Sequence, residues 1–349
     1  MHYIACDLHK QVCSVCVVDD VVREQEYPLP EEAIVLEEEM RSTRIALARL
    51  LNRVREIAGE SEPLTVVVET NSSWYWFVDY LEPLVDEVKL VNAEKAKAIA
   101  SARIKTDKLD ARVLAWLARN KLIPEVYIPP KALRDTRELL RYRSYLVRTR
   151  TRLKAKIQSQ LEKLGISHEF SDLFGKGGRE WLGRLRAREP YKLTILGLLD
   201  VVNAADRKIE EAEKEIFNGR LKLDRETELL KTLPGFGDLF AGHARLEILD
   251  IKRFAGHKNF VRYCGLAPGT YQSAKRKRRK GLVKQANHWL KWIYVEAAHH
   301  AARHPCFEET YRRQCAKNGK AVAKLTVARR LAIATYYMLK EGEAFRGAA

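Results

Sequence analysis

Apolar residues in the first part of the chain are spaced alternately as in strands and as in helices. Runs rich in valine, leucine and cysteine predict strands at "YIACDL", "VCSVCVVDD", "LTVVVET" and "EVKLVN". Apolar residues three and four apart predict helices over "RSTRIALARLLNRVREIA" and "DKLDARVLAWLARNKL". The alternation of strands with helices predicts an α/β domain with a mixed sheet over residues 1–127.

Helical patterns replace strand patterns in the middle of the chain, residues 128–225. Leu139, Leu146 and Leu153 recur every seven residues, which predicts a helical coiled-coil linker. The segment from Lys131 to Lys156 holds ten Lys and Arg against two acidic residues. Such a run predicts either a positive helical face for a polyanion or an ordinary solvated face.

The last part of the chain, residues 226–349, is predicted to be mostly α-helical. The run "LKTLPGFGDLFAGHARLEI" predicts two helices joined by a P-G-x-G turn, a helix-hairpin-helix-like segment whose small residues let backbone amides approach a phosphate. The run "TYQSAKRKRRKGLVK" interrupts the helices and places Ser273 just ahead of a basic stretch. By itself this pattern predicts a basic loop that contacts phosphates, with Ser273 as an ordinary loop residue.

The composition is that of a globular protein with a polyanionic partner. Hydrophobic residues make up 46% of the chain, and 63 Lys and Arg against 46 Asp and Glu give a net charge of +17. Since no run of about 18 uncharged apolar residues occurs, we expect no membrane partner and a cytoplasmic, nucleoid-associated protein. Cys13 and Cys16 have metal-ligand spacing, but within a strand they point to opposite faces, which favours core packing.

Four carboxylates are candidates for a metal site in the first domain. Asp7 and Glu69 end two predicted strands, while Asp107 and Asp110 are three apart at the start of a predicted helix. If they converge, pairs about 5 Å apart repel by roughly 3 kcal/mol, which a divalent cation offsets. Such a cluster suits phosphoryl transfer with Mg²⁺ or Mn²⁺. The alternative interpretation makes Asp107 a helix cap and Asp110 a first-turn acid.

Several segments together resemble a known family along almost the whole chain. They are "YIACDLHK", "VVVETNSSWYWFVDYL", "VKLVNAEKAKAIASARIKTDKLDARVLAWLA", "LKTLPGFG" and "FVRYCGLAPGTYQSAKRKRRKG". The sequence resembles the DEDD transposases related to the Piv DNA invertase, the bridge-RNA-guided serine recombinases of insertion sequences. The resemblance implies a RuvC-like (RNase H-like) first domain, a helical linker and a C-terminal transposase domain.

The resemblance also implies roles for particular residues. The acidic tetrad of the family falls on Asp7, Glu69, Asp107 and Asp110, and its catalytic serine on Ser273. The family usually has glycine after this serine, whereas this chain has Ala274. The basic residues that we assign to nucleic-acid binding are Lys105, Lys275, Arg276, Lys277, Arg278, Arg279, Lys280 and Lys284.

Ser273 is a weak nucleophile on its own chemistry. A serine hydroxyl needs a base, a metal or strong positive charge beside it, and the sequence around Ser273 contains no Ser-His-Asp arrangement. Activation would therefore come from the carboxylate cluster and its metal. Thr270 and Tyr271 are rival hydroxyls, and Tyr271 is the alternative nucleophile.

The function implied by the resemblance is that of an insertion-sequence transposase or recombinase. Such an enzyme cuts and rejoins double-stranded donor and target DNA, guided by a bridge RNA, as a homo-oligomer (a dimer or tetramer). Two alternatives stay open. The first is a RuvC-like junction nuclease that uses metal-activated water alone, and the second is a non-catalytic nucleic-acid-binding scaffold.

Overall fold

The computed structural model of the protein describes residues 1–20, 29–99, 107–220, 224–273 and 276–347. For residues 98, 107–109, 220, 270–273 and 276–280 it describes the backbone alone. The chain folds into two compact units, Met1–Lys131 and Ala132–Ala349.

The described residues of the first unit form six strands and four α-helices. Its strands are β1 (His2–Leu8), β2 (Val12–Asp19), β3 (Ile34–Arg41), β4 (Leu64–Glu69), β5 (Glu87–Val91) and β6 (Glu125–Val126). Its helices are α1 (Arg44–Ala58), α2 (Trp74–Leu81), α3 (Ala93–Ile99) and α4 (Asp107–Arg119). The predicted α/β domain with a mixed sheet is confirmed.

The six strands form one sheet in the order β3-β2-β1-β4-β5-β6. The three central strands β1, β4 and β5 are parallel, and the remaining pairs are antiparallel. Strand β4 lies between two parallel neighbours, and five of its six residues are buried. This burial confirms the prediction from its adjacent valines, because a central parallel strand is covered on both faces.

Helices cover both faces of this sheet. Ile4, Cys6 and Leu8 of β1 join a core that includes buried residues of α1 and α2. Tyr3 and Ala5 face the opposite way, into a core that includes Ala111, Leu114, Ala115 and Ala118 of α4. Cys13 lies in the first core and Cys16 in the second, so the two thiols are on opposite faces, as predicted.

Strand β3 is an element that the sequence pattern did not predict. It pairs with β2 at the edge of the sheet, and its sequence IVLEEEMR lacks clean alternation of apolar and polar residues. Its glutamates are held by arginines of the covering helices: Glu38 pairs with Arg53 of α1 and Glu37 with Arg112 of α4. An edge strand tolerates charges that a central strand could not.

The second unit is mainly helical, as predicted for the C-terminal region. Its helices are α5 (Lys131–Lys163), α6 (Lys176–Gly183), α7 (Tyr191–Glu215), α8 (Arg225–Lys231), α9 (Asp238–Ile248), α10 (His257–Tyr263), α11 (His288–Ala301) and α12 (Pro305–Glu341). Helix α12 is interrupted at Gly319, whose φ of 82° is not helical. Among the described residues, no helix is long and apolar enough to cross a membrane.

The segment predicted as a helical linker begins with the long helix α5, which packs through other positions than the heptad leucines. Leu139, Leu146 and Leu153 are half-buried. The fully buried apolar residues are Leu140, which packs with Ile216 and Leu246, and Ile157 and Leu161, which pack with residues of α6 and α7.

The predicted pair of helices joined by a P-G-x-G turn is α8 and α9. Gly235 in this turn has a φ of 85°, and a Cβ there would lie 2.5 Å from the backbone oxygen of Ala297 in α11. Glycine is therefore required by close packing against α11. Gly237, which precedes α9, has open space around it.

The basic segment after Pro268 is a two-stranded hairpin rather than the loop that the sequence predicted. Strand β7 (Pro268–Ser273) pairs antiparallel with β8 (Arg276–Leu282). The expectation of a loop was wrong because lysine, arginine and glycine carry no apolar alternation, and the pairing is made by the backbone.

Candidate functional site

Asp7 and Glu69 occupy adjacent positions at the ends of two parallel strands. The register of β1 and β4 pairs Cys6 with Val68, so that the next position along each strand is Asp7 and Glu69. Neighbouring strands lie about 4.8 Å apart. The two carboxylates therefore lie next to each other where these two strands end.

Both side chains point to the same face of the sheet. Side chains alternate along a strand, and Ala5 and Val67, two positions earlier, both lie in the core beneath α4. Asp7 is 7% exposed and Glu69 is half-buried. The two carboxylates thus lie next to each other, partly buried, on the face of the sheet that α4 covers.

Helix α4, which contains the other two residues of the predicted tetrad, packs on this face of the sheet. It begins at Asp107 and packs across β1 and β2 through a stripe that starts at Ala111. Asp110, one residue before this stripe, is half-buried. For Asp107 the backbone alone is described. The structure therefore brings Asp7 and Glu69 together and packs the helix of Asp107 and Asp110 on their face.

Arg112 holds α4 on the sheet close to Asp110. Its guanidinium contacts Glu37 Oε1 at 2.5 Å and Glu31 Oε1 at 2.6 Å. Hydrogen bonds to Glu37 and then to Glu31 raise the pKa of Arg112 above its ordinary value. This bidentate pairing fixes the start of α4 relative to the edge strand β3.

Two residues at the strand ends were not identified from the sequence. His9 Nε2 lies 3.2 Å from Asp7 Oδ2. Asn71 Nδ2 donates to the backbone oxygen of Leu8, and its Oδ1 accepts from Ser73 N at 2.7 Å. Asn71 therefore ties the end of β4 to the end of β1. An asparagine two residues after a strand is the available signal, because it forms such local turns.

The donor chemistry of the strand ends fits a hard divalent cation. Mg²⁺ and Mn²⁺ take carboxylate oxygens, which Asp7 and Glu69 supply side by side. Across the ranges that the structure describes, no group of three or more His, Cys, Asp or Glu side chains is arranged to hold a metal ion. The described residues thus place two carboxylates, Asp7 and Glu69, next to each other, and the metal site stays a prediction.

Ser273 is the last residue of β7, and its backbone pairs with Arg276 at the start of β8. The rival hydroxyl residues lie earlier on the same strand, with Tyr271 opposite Arg278 and Thr270 opposite Arg279. Every described residue of β8 up to Lys280 is basic. The hairpin therefore sets the candidate nucleophiles directly against a basic strand.

The remaining predicted nucleic-acid contacts are only partly described. Lys105, Ala274 and Lys275 lie outside the described residues. For the basic residues of β8 the backbone alone is described, and Lys284 is exposed.

At least half of the ten basic residues in the run on α5 are buried or paired with carboxylates, so the run presents less positive charge than its residue count suggests. Arg134 is 1% exposed. The paired residues are Arg137 and Arg141 with Glu247, Arg143 with Glu213 and Arg150 with Asp206. Arg148, Arg152 and Lys156 are exposed. The number of basic residues in the sequence does not show which arginines pair with carboxylates and which face solvent.

Two family models match this chain. Residues 4–166 match a DEDD transposase model of the IS110 group, described as a transposase. Residues 227–312 match a model described as transposase of the IS116/IS110/IS902 family. The first match contains the four carboxylates, and the second contains the β7–β8 hairpin.

Curated relatives are similar at low identity over much of the chain. A probable family 20 transposase of Pseudomonas aeruginosa is 23% identical over 278 residues, which cover 75% of this chain and 79% of the relative. The transposase for insertion sequence element IS1111A of Coxiella burnetii is 24% identical over 226 residues, covering 62% of this chain and 60% of the relative. The transposase for insertion sequence element IS1328 of Yersinia enterocolitica is 23% identical over 243 residues, covering 68% and 70%. With both domain models matched in order along its length, the chain belongs to the IS110/IS116/IS902 family of transposases.

Proposed function

We propose that this transposase cuts and rejoins double-stranded DNA with an acidic metal site in the first unit and Ser273 as the covalent nucleophile. The observation that carries the proposal is the adjacency of Asp7 and Glu69, on one face at the ends of parallel strands. Two like charges placed side by side favour a divalent cation, and phosphoryl transfer is the chemistry that such a site serves. The mixed sheet is compatible with the RNase H-like fold that the family resemblance implies.

Asp7, Glu69, Asp107 and Asp110 are the residues that would hold Mg²⁺ or Mn²⁺. When bound, the metal supplies polarisation of a phosphodiester and charge stabilisation in the transition state. Asp7 and Glu69 would hold the metal from the strand ends and Asp107 and Asp110 from α4, while Asn71 and Arg112 keep β1, β4 and α4 in position.

The covalent step is assigned to Ser273. Its Oγ forms a bond to the phosphorus while the bond from phosphorus to one DNA oxygen breaks. The serine proton is lost, and the departing oxygen keeps the electron pair and takes up a proton. Rejoining is the reverse step, in which a DNA hydroxyl attacks the phosphoserine ester and restores Ser273. The basic residues of β8 stabilise the phosphate charge throughout.

The proposed partners are donor and target DNA, a guide RNA and further copies of the chain. The net charge of +17 supports a polyanionic partner, and the guide RNA and the oligomer follow from the family resemblance. RNA is tested by extracting nucleic acid from the purified protein. A defined RNA species whose removal by ribonuclease abolishes DNA joining supports the guide, whereas unchanged joining after ribonuclease treatment contradicts it.

The experiment that tests the mechanism is to trap the covalent intermediate. Protein with its co-purified nucleic acid is incubated with DNA carrying the insertion-sequence ends and Mg²⁺, and protease-sensitive DNA adducts are separated. We expect adducts with wild type and with Tyr271→Phe, and none with Ser273→Ala. An adduct lost only in Tyr271→Phe overturns the serine assignment.

The two alternatives give other outcomes in the same assay. If Ser273→Ala still cleaves DNA at the wild-type rate, the enzyme is a nuclease that uses water. If Asp7→Ala and Glu69→Ala still recombine DNA, the carboxylates are structural and the chain acts as a scaffold. Mixing Asp7→Ala with Ser273→Ala subunits tests whether the groups act in one subunit, because regained activity requires them to act in different subunits.

A further inference from the structure

The segments on either side of the β7–β8 hairpin are joined to each other beyond the strands. Val283 N donates to the backbone oxygen of Ala267 at 3.1 Å, and Asn287 N donates to that of Tyr263 at 2.7 Å. Between these bonds, a Cβ on Gly265 would lie 2.8 Å from the Cβ of Ala286. The chain entering the hairpin and the chain leaving it therefore run in close contact, and they form the base of the hairpin, residues 263–267 and 283–287.

Asn287 is the side chain that closes this base. Its Oδ1 accepts from the backbone nitrogens of Trp289 and Leu290, both at 3.0 Å, and so caps α11. Its Nδ2 donates to Glu247 Oε2 at 2.8 Å and lies 3.3 Å from the hydroxyl of Tyr263. One amide thus fixes the hairpin base, the start of α11 and Glu247 of α9.

Glu247 connects this amide to the long helix α5. It is 1% exposed, and its Oε1 accepts from Arg141 Nε at 3.2 Å and Nη2 at 3.0 Å. Arg137, also on α5, lies 3.7 Å from the same oxygen and donates to the backbone oxygen of Leu246 at 2.6 Å. His243 Nε2 is 3.7 Å away, too far for a hydrogen bond.

A buried ion pair is weak evidence for stability, because well-packed apolar residues often serve as well. The carboxylate instead links two parts of the structure. One oxygen accepts hydrogen bonds from α5, and the other accepts one from Asn287 at the hairpin base. We infer that Glu247 is a positioning residue that couples α5 to the strand carrying Ser273. The inference rests on the proposed function in taking Ser273 as the nucleophile.

Glu247→Gln is the variant that breaks the link with least change in volume. A glutamine offers one oxygen and one NH₂ group, so it cannot accept from both Arg141 and Asn287. Asn287→Asp breaks the link from the other side, since two carboxylates then face each other while the cap of α11 is kept. In the double variant E247Q/N287D the new amide donates to the new carboxylate, and the hydrogen bond returns with reversed polarity.

Asp206 provides a matched control within the same unit. It accepts from Arg150 of α5 at 2.7 Å and from Arg179 of α6 at 2.5 Å, and none of its described contacts involves the hairpin base. Asp206→Asn therefore weakens a similar ion pair without touching the proposed link.

The test measures hydrogen exchange of residues 268–282 together with adduct formation at saturating DNA. In Glu247→Gln we expect the hairpin amides to exchange about tenfold faster and the adduct to form about tenfold more slowly. A tenfold change is the effect expected from losing one hydrogen bond to a charged group. The DNA affinity should stay within about twofold of wild type. Asn287→Asp should behave likewise, Asp206→Asn should leave both rates near wild type, and E247Q/N287D should recover most of the loss.

Unchanged hairpin exchange in both single variants overturns the inference, as does an equal effect of Asp206→Asn or a double variant no better than the singles. If Glu247→Gln does not fold, Asn287→Asp and the double variant still decide the question. Hydrogen exchange is measured without any catalytic step, so the exchange data alone decide whether Glu247 is coupled to the hairpin. An adduct that persists in Ser273→Ala instead refutes the assignment of Ser273 as the nucleophile.

Discussion

Asp7 and Glu69 lie side by side at the ends of two parallel strands, whereas Glu247 lies between two arginines and an asparagine inside the helical unit. At the strand ends two like charges share one face, and at about 5 Å they repel by about 3 kcal/mol at an effective dielectric of 20. Around Glu247 opposite charges already surround the carboxylate. The contacts of Glu247 are those of a carboxylate that holds parts of the protein together, whereas for Asp7 and Glu69 the proposed role is to bind a cation.

The pKa of Glu247 reflects this internal compensation. Burial by itself raises the pKa of its carboxyl, but the adjacent ring of His243, the charges of Arg137 and Arg141 and the amide of Asn287 outweigh burial and lower the pKa to about 2. A carboxylate in this setting stays ionised and satisfied at neutral pH. It has no need of a metal.

Removing a carboxylate at the strand ends should have the largest effect on activity. We expect Asp7→Ala or Glu69→Ala to reduce DNA strand transfer by about 10³-fold or more, because phosphoryl transfer depends on the bound metal. Mn²⁺ affinity should fall as well, because one of two adjacent carboxylate oxygen donors is lost. Strand-transfer assays and Mn²⁺ titration calorimetry measure both consequences.

The control for this prediction is Asp79→Ala in the same unit. Asp79 lies 3.7 Å from Lys131 at the surface of α2, where an ion pair contributes roughly 0 to 1 kcal/mol. Its activity and Mn²⁺ affinity should match wild type. Full activity in Asp7→Ala would show that the carboxylates at the strand ends are structural, as Glu247 is.

Removing the carboxylate inside the helical unit should act on stability instead. Glu247→Ala leaves Arg137 and Arg141 buried without their carboxylate and should lower the free energy of unfolding by about 3 to 5 kcal/mol. Urea denaturation followed by tryptophan fluorescence measures the loss. A loss below about 1 kcal/mol would show that Arg137 and Arg141 do not depend on this carboxylate.

Acid should weaken the second site through Glu247. Its folded-state pKa of about 2 is below the ordinary value of 4.5, so its contribution is fully present above about pH 4.5 and is lost as the pH falls towards 2. The shift corresponds to about 3 kcal/mol. Urea midpoints of wild type should therefore fall between pH 5 and 3, and those of Glu247→Gln should fall less. Parallel curves for the two proteins would refute this.

The two sites also differ in how far the sequence predicts them. Strand ends can be identified from apolar runs, and carboxylates that follow such runs can converge where neighbouring strands end, so Asp7 and Glu69 were predicted, with Asp107 and Asp110, as one cluster. Glu247 looks like any polar residue of a helix. Its partners Arg137 and Arg141 are more than 100 residues earlier in the chain, and no local pattern encodes that they face it.

The elements that could not be predicted from the sequence also lack a local apolar pattern. Strand β3 and the β7–β8 hairpin are charged segments whose pairing is made by backbone groups, and their side chains carry no periodic apolar signal. The family resemblance assigned Ser273 but not the strand that holds it. Local patterns thus predict the central strands of the sheet and the carboxylates at their ends, while long-range ion pairs and charged strands require the folded structure.

The smallest predicted effect concerns Asn71, which ties the ends of β1 and β4. Asn71→Ala removes its hydrogen bonds to Leu8 and Ser73 and should weaken Mn²⁺ binding by about tenfold, as expected when a residue that orients the ligands is lost. Asn92→Ala is the matched control: Asn92 follows the neighbouring parallel strand β5, and its Oδ1 accepts from Lys95 N at 3.0 Å. Both variants should lose about 1 kcal/mol of stability, but only Asn71→Ala should lose metal affinity. Equal Mn²⁺ affinities in the two variants would show that the strand ends need no tie, and that the carboxylates are placed by the sheet alone.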